Sequence, residues 1–172
     1  AERALPGPVM DMLRLLPRGS HPMDMLRTGV SMLGAFDKDL NDHSHDANVR
    51  KSIRLIARVP TLITDGWRIL HGQEPVPEKP DLTQAANFFY KLEGKVPQTW
   101  QIRMLDTIFN LYADHEFNAS TYTARVVAST LSDIYAAVTA ACAALKGPLH
   151  GGANEESMKM LEEIGVPERA EA

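Results

Sequence analysis

Cysteine is nearly missing from this chain: Cys142 is the only one in 172 residues. No internal disulfide framework can therefore hold the fold, and a reducing compartment, the cytoplasm, suits it. The Ala-rich surroundings of Cys142 read it as a small buried apolar residue rather than a nucleophile. Long apolar runs are also lacking. The least polar one, Ile134 to Leu145, falls well short of the roughly 20 residues a membrane helix needs. Basic charge is not gathered anywhere: 18 Lys and Arg are scattered and the net charge is −4, which argues against a nucleic-acid partner. Period-two alternation is scarce, so strands are not expected. The opening AERALPGPV carries neither an initiator Met nor a secretory signal, and the expectation is a piece of a longer protein.

Helical periodicity is plentiful. Met23, Leu26, Val30 and Leu33 form one apolar stripe after Pro22, and Met25, Gly29, Met32 and Phe36 form a second. Two apolar faces predict a helix covered on both sides. The segment 47–70 repeats the pattern. Val49, Ile53, Ile56, Ile63, Trp67 and Leu70 share one face, and Leu55, Val59, Leu62 and Ile69 another. Pro60 predicts a kink or short break there. Residues 71–83, with Pro75, Pro77 and Pro80, predict a stiff extended connector, followed by helices near 82–93 and around Ile102, Leu105, Phe109 and Tyr112. From Tyr122 to Leu145 the pattern predicts one Ala-rich helix, then another from Glu155 to Ile164. The class is all-α, and the doubly apolar helices imply two layers or a subunit interface.

Two histidines stand out. His150 lies in GPLHGGAN, where Pro148 sets the approach and Gly151 and Gly152 leave room for close backbone. Capping of the next helix by Asn154 or a neighbour predicts free N–H groups beside the imidazole, favouring a neutral ring that still donates one hydrogen bond. Such a donor to a carbonyl oxygen is the chemistry of enolisation. On composition alone, a Gly-rich helix cap with an incidental histidine explains the same turn. His115, between Asp114 and Glu116, could grip an anion if protonated, or simply belong to a polar helix end. His43 and His45 in NDHSHDAN read as a solvated loop, since His-x-His alone is a weak metal signal. Met10, Met12, Met23, Met25 and Met32 read as core filler.

Taken together, ADHEFNASTYTARVVASTLSDIYAAVTAACAALKGPLHGGANEESMKMLEEIG (113–165) resembles the citrate synthase family, which includes enzymes making 2-methylcitrate. The D-H-E-x-N-A-S-T run, the Ala-rich helix beginning around L-S-D and G-P-L-H-G-G-A-N-E occur in that order and spacing. HDANVRKSIRLIARVPTLI (45–63) resembles upstream helices of the same family. The resemblance implies a multi-helical large domain with a helical-sandwich dimer interface. It implies condensation of acetyl-CoA, a substrate rather than a cofactor, with oxaloacetate in the tricarboxylic acid cycle. It implies neither a metal nor a membrane.

In it, His150 would be the catalytic donor to the thioester carbonyl, while His115, with Asn118, would bind oxaloacetate. The family's second catalytic histidine, its catalytic aspartate and its substrate-binding arginines have no counterpart here. Residues 1–172 are therefore expected to be the central part of the large domain, without the N-terminal helices, small domain and C-terminal segment, and inactive alone. Other readings are a 2-methylcitrate synthase using propionyl-CoA, a non-catalytic dimerising paralogue, and a metal phosphohydrolase built on His45-Asp46 and Asp114-His115.

Overall fold

The computed structural model describes residues 2–113 and 116–170. Among them the chain folds into eight α-helices and no strand: α1 (Gly7–Leu15), α2 (Pro22–Ala35), α3 (His45–Leu70), α4 (Gln84–Glu93), α5 (Thr99–Ala113), α6 (Ala119–Ser129), α7 (Ile134–Leu145) and α8 (Gly152–Ile164). A short 3-10 turn, Pro167–Arg169, follows. The all-α expectation holds.

Helix α2 lies at the centre and contacts α1, α3 and α7. It buries Met25, Leu26, Val30 and Leu33 from its two stripes. Met10, Met12, Met23 and Met32 pack against that core, the adaptable filling expected of them. The α2 and α3 axes approach through a reciprocal glycine exchange. A Cβ on Gly29 would lie 2.5 Å from Leu62 Cδ1, and one on Gly66 would lie close against Met25 Sδ. Small residues at a crossing let two helices close up in this way.

The stripes of α3 part company. Leu55 and Leu62 are buried and Val59 and Ile69 pack on the core, but Val49, Ile53, Ile56 and Trp67 are 41–68% exposed. Ile63 and Leu70, predicted on that outer face, instead turn to the core. No break occurs at Pro60, since α3 runs through it. Proline has no N–H, so the Ile56 carbonyl four residues back loses its helical partner. The side-chain amide of Gln84, the first residue of α4, donates to that oxygen at 2.9 Å.

Residues 36–44 are fastened by charge. Arg54 donates from Nε and Nη2 to the two oxygens of Asp37, each at 2.7 Å, and its Nη2 also reaches Asp39. The Tyr135 hydroxyl donates to Asp37, bringing α7 into the same cluster. Burial works to raise the Asp37 pKa, but the bonds from Arg54 and Tyr135 outweigh it and hold it below the usual carboxylate range. Lys51, fully buried, donates to the carbonyls of Leu40 and Asp42. Residues 73–79 form the expected extended connector, tied down where Arg68 Nε meets Glu74 O and Lys91 Nζ meets Val76 O.

The Ala-rich stretch is not one helix, as the pattern predicted, but two. Leu131 takes a left-handed conformation, φ 62°, which ends the α6 turn. Asp133 then accepts from the Ala136 N–H and starts α7. The two helices fold back on each other. One helix that the pattern missed is α1, which places Val9 and Leu13 in the core.

Candidate active site

The α7–α8 turn is closed by its own backbone. The N–H of Gly151 donates to Leu145 O at 2.9 Å, and those of His150 and Gly152 to Gly147 O. The N–H groups of Ala153 and Asn154 donate to His150 and Gly151 carbonyls. Position 151 admits no side chain, because a Cβ there would lie 2.9 Å from Leu145 Cδ1 and collide with Leu145 O. That fixes why the turn has glycine here. It also corrects the sequence expectation. The amides of 150–154 are paired locally, and no side chain caps α8, whose N-cap is Gly151. Asn154 lies within the helix and its Oδ1 accepts from the Tyr112 hydroxyl at 3.2 Å.

The helix end that meets His150 belongs to α6 instead. Asn118 is its N-cap, with Oδ1 accepting from the Thr121 N–H at 2.6 Å. In the first turn that follows, the backbone N–H of Ser120 donates to His150 Nε2 at 3.3 Å. An N–H donor requires a bare nitrogen, so the ring proton sits on Nδ1. Ser120 Oγ lies 2.9 Å from the same Nε2 and 2.8 Å from Asn118 Oδ1, so its single proton is within reach of both, and with Nε2 bare it can be directed at the ring. The result is an imidazole oriented from behind, with Nδ1 as its donor nitrogen. Ser120 entered the sequence reading only as part of the D-H-E-x-N-A-S-T run. Its contact with the ring spans 30 residues and has no local signal.

His150, Ser120 and Asn118 line one cleft of about 620 Å³ together with Tyr112, Leu149 and Asn154. Its described lining residues include no carboxylate. Of the predicted site residues, His150 and Asn118 are thus brought together; His115 and Asp114 lie outside the described residues. His43 and His45 are exposed at the start of α3. Among the described residues no three His, Cys, Asp or Glu side chains converge as metal ligands. Cys142 is buried in α7, and burial pushes its thiol pKa up. No helix among the described residues is long and apolar enough to cross a membrane.

A family model for the C-terminal domain of citrate synthase matches residues 1–172. The chain belongs to the citrate synthase family. It is 46% identical over 167 residues to the citrate synthase of Heyndrickxia coagulans, covering 97% of this chain and 45% of that one. It is 52% identical over 151 residues to citrate synthase 2 of Bacillus subtilis, 88% of this chain and 41% of that one. A 2-methylcitrate synthase of Mycobacterium tuberculosis is 45% identical over 170 residues, 99% and 43% of the two chains. This chain therefore spans less than half the length of these family members.

The fold agrees. The crystal structure of citrate synthase from Pyrobaculum aerophilum matches with a TM-score of 0.88 at 40% identity, over 98% of this chain and 44% of that one. The citrate synthase of Thermoplasma acidophilum, solved as a ternary complex with carboxymethyl coenzyme A and oxaloacetate, matches at 0.88 and 32% identity, over 99% and 44%.

Proposed function

We propose that this chain contributes the carbonyl-polarising half of a citrate synthase active site, which condenses acetyl-CoA with oxaloacetate to give citrate and CoA. The observation that carries the reading is the Ser120 N–H on His150 Nε2, because it assigns the ring proton to Nδ1 in a residue that lines a cleft. A thioester methyl is a very weak carbon acid. Hydrogen bonding to its carbonyl oxygen stabilises the enolate-like charge that develops as a base removes the proton. The enol carbon then attacks the ketone of oxaloacetate, and hydrolysis of the citryl thioester releases citrate and CoA. Asn118 and His115 are assigned to oxaloacetate; Asn118 supports this by lining the His150 cleft.

No carboxylate lines the cleft among the described residues, and we propose that the base belongs to another part of the natural polypeptide. We accordingly take residues 1–172 as the central part of the large helical domain, inactive by themselves. The direct test measures CoA thiol release from acetyl-CoA and oxaloacetate by the natural polypeptide. Loss of turnover in His150→Ala is expected, and undiminished turnover there would refute the assignment. Citrate formation by residues 1–172 alone would refute the division of labour.

The same relatives support 2-methylcitrate synthase as a second reading. One extra methylene changes discrimination by only about 1–3 kcal/mol, so acetyl-CoA and propionyl-CoA turnover must be compared directly. A homodimer in the cytoplasm is proposed with it. The exposed stripe Val49, Ile53, Ile56 and Trp67 on α3 supports pairing with a second copy, and the free buried thiol fits a reducing compartment. Sedimentation that finds only monomer at high concentration would count against the dimer.

A further inference from the structure

The first turn of α2 holds both shoulders of the His150 turn. Lys146, the C-cap of α7 four residues before His150, donates from Nζ to Asp24 Oδ2 at 2.7 Å. Glu155, in the first turn of α8, has Oε1 3.7 Å from His21 Nε2. His21 is itself fixed, since its Nδ1 accepts from the Met23 N–H at 3.1 Å as the α2 N-cap. That bond leaves Nε2 as the nitrogen carrying a proton, directed at Glu155. Between the two ties Met23 faces Leu145, Gly151, Gly152 and Asn154 across a cleft of about 180 Å³.

We propose that Asp24 and Lys146, seconded by His21 and Glu155, are positioning residues that set the attitude of the turn carrying His150. The inference rests on His150 being the carbonyl donor. The backbone bonds within 145–154 close the turn onto the end of α7, and side-chain ties are needed to hold its far shoulder. The ring is gripped on one side by Ser120, on α6, a helix that buries no residue. The α2 contacts add side-chain ties from the turn to the core, because α2 carries Met25, Leu26, Val30 and Leu33 into it, alongside Tyr135 and Cys142 of α7. The Asp24–Lys146 pair also joins complementary helix ends: a carboxylate at the start of α2 and an ammonium at the end of α7. Asp24 keeps Arg27 at 3.0 Å, so removing Lys146 does not leave it without a cation.

The test compares Lys146→Met, Lys146→Arg, Asp24→Asn and His150→Gln in the natural polypeptide. Two readouts are used: steady-state kinetics and ¹⁵N NMR of the imidazole rings. Lys146→Met and Asp24→Asn are expected to lower kcat about tenfold while KM for oxaloacetate moves less than about twofold, as a sub-ångström misplacement of the donor dictates. Both should replace the single Nδ1–H signature of His150 with an averaged one, and Lys146→Arg should restore both quantities. A variant that loses melting temperature yet keeps kcat and the ring signature overturns the proposal, as does equal damage from Lys146→Arg. His150→Gln separates the two possible failures. Full turnover in that variant refutes the catalytic reading, and the clamp then stands or falls on the ring signature alone.

Discussion

Replacing Gly151 by Ala tests how tightly the turn is built. A Cβ at this position would collide with Leu145 O, the acceptor of the residue's own N–H, at a separation far below the 3.0 Å that real Cβ contacts respect. The obstacle is backbone, not a flexible side chain, so the neighbour cannot rotate away. The turn must open by roughly 0.8 Å, which breaks or stretches the Gly151–Leu145 hydrogen bond and carries His150 with it. A displacement near 1 Å of a catalytic group costs on the order of 10²-fold in rate, and the lost bond costs about 1 kcal/mol of stability. The expected outcome is a kcat about 10²-fold lower in the CoA-release assay, with KM for oxaloacetate changed far less. Gly152→Ala is the control, since its Cβ would meet Gly147 O at 3.3 Å and needs only a few tenths of an ångström. If Gly151→Ala keeps kcat within about twofold of the parent, the turn does not set the position of His150 and the reasoning fails.

Three further outcomes follow from the same contacts. Ser120→Ala removes the hydroxyl near His150 Nε2 but keeps the backbone N–H, so kcat should fall only about tenfold; an unchanged kcat would show that the N–H alone holds the ring. Gln84→Leu leaves the Ile56 carbonyl without its donor and should cost about 1 kcal/mol by urea denaturation. The cost should shrink in a Pro60→Ala background, where the helix supplies its own N–H, and an equal loss in both backgrounds would refute the account. The Asp37–Arg54–Asp39 cluster predicts an acid limit to stability. Asp39, bonded by Arg50 and Arg54, is like Asp37 held below the ordinary carboxylate range. A depressed folded pKa stabilises fully above the unfolded value near 4 and is lost as pH falls below it toward the folded value. Stability measured from pH 6 to 2 should therefore fall through that window, and Asp37→Asn should flatten the fall. Parallel pH curves for the two proteins would refute it.

Much of the fold was legible because burial imposes period on the sequence. The stripes of α2 follow directly from Met23 to Leu33, and both find partners. The stripes of α3 were equally visible but only one is covered within this chain, because periodicity reports what is apolar and not what touches it. Helix α1 escaped because Pro6, Gly7 and Pro8 are poor helix formers, although proline is well tolerated in a helix's first turn. The α6–α7 break escaped for the opposite reason. Alanine is the strongest helix former, so a continuous Ala-rich pattern conceals a stop that depends on one left-handed residue, Leu131. Asp133 was the available sign, as a capping residue placed just before a new apolar run.

For the site, the residue was legible and its surroundings were not. GPLHGGAN announced a constrained histidine because Gly151 has no alternative at that position. The expectation of a helix terminus beside the imidazole was right in kind and wrong in identity. The amides of α8 are spent within the turn, whereas α6, which begins about 30 residues earlier, supplies the N–H. Local sequence can specify a tight turn because the constraint lies between near neighbours. It carries no record of which distant helix end faces the ring, since Asn118-Ala119-Ser120 caps a helix equally well wherever that helix points. What joins the two is the fold of α6 back along α7, so the break at Leu131, which periodicity hid, is also the feature that delivers Ser120 to His150. A variant that straightened this hairpin would thus lose the ring's partner without altering a single residue of the turn.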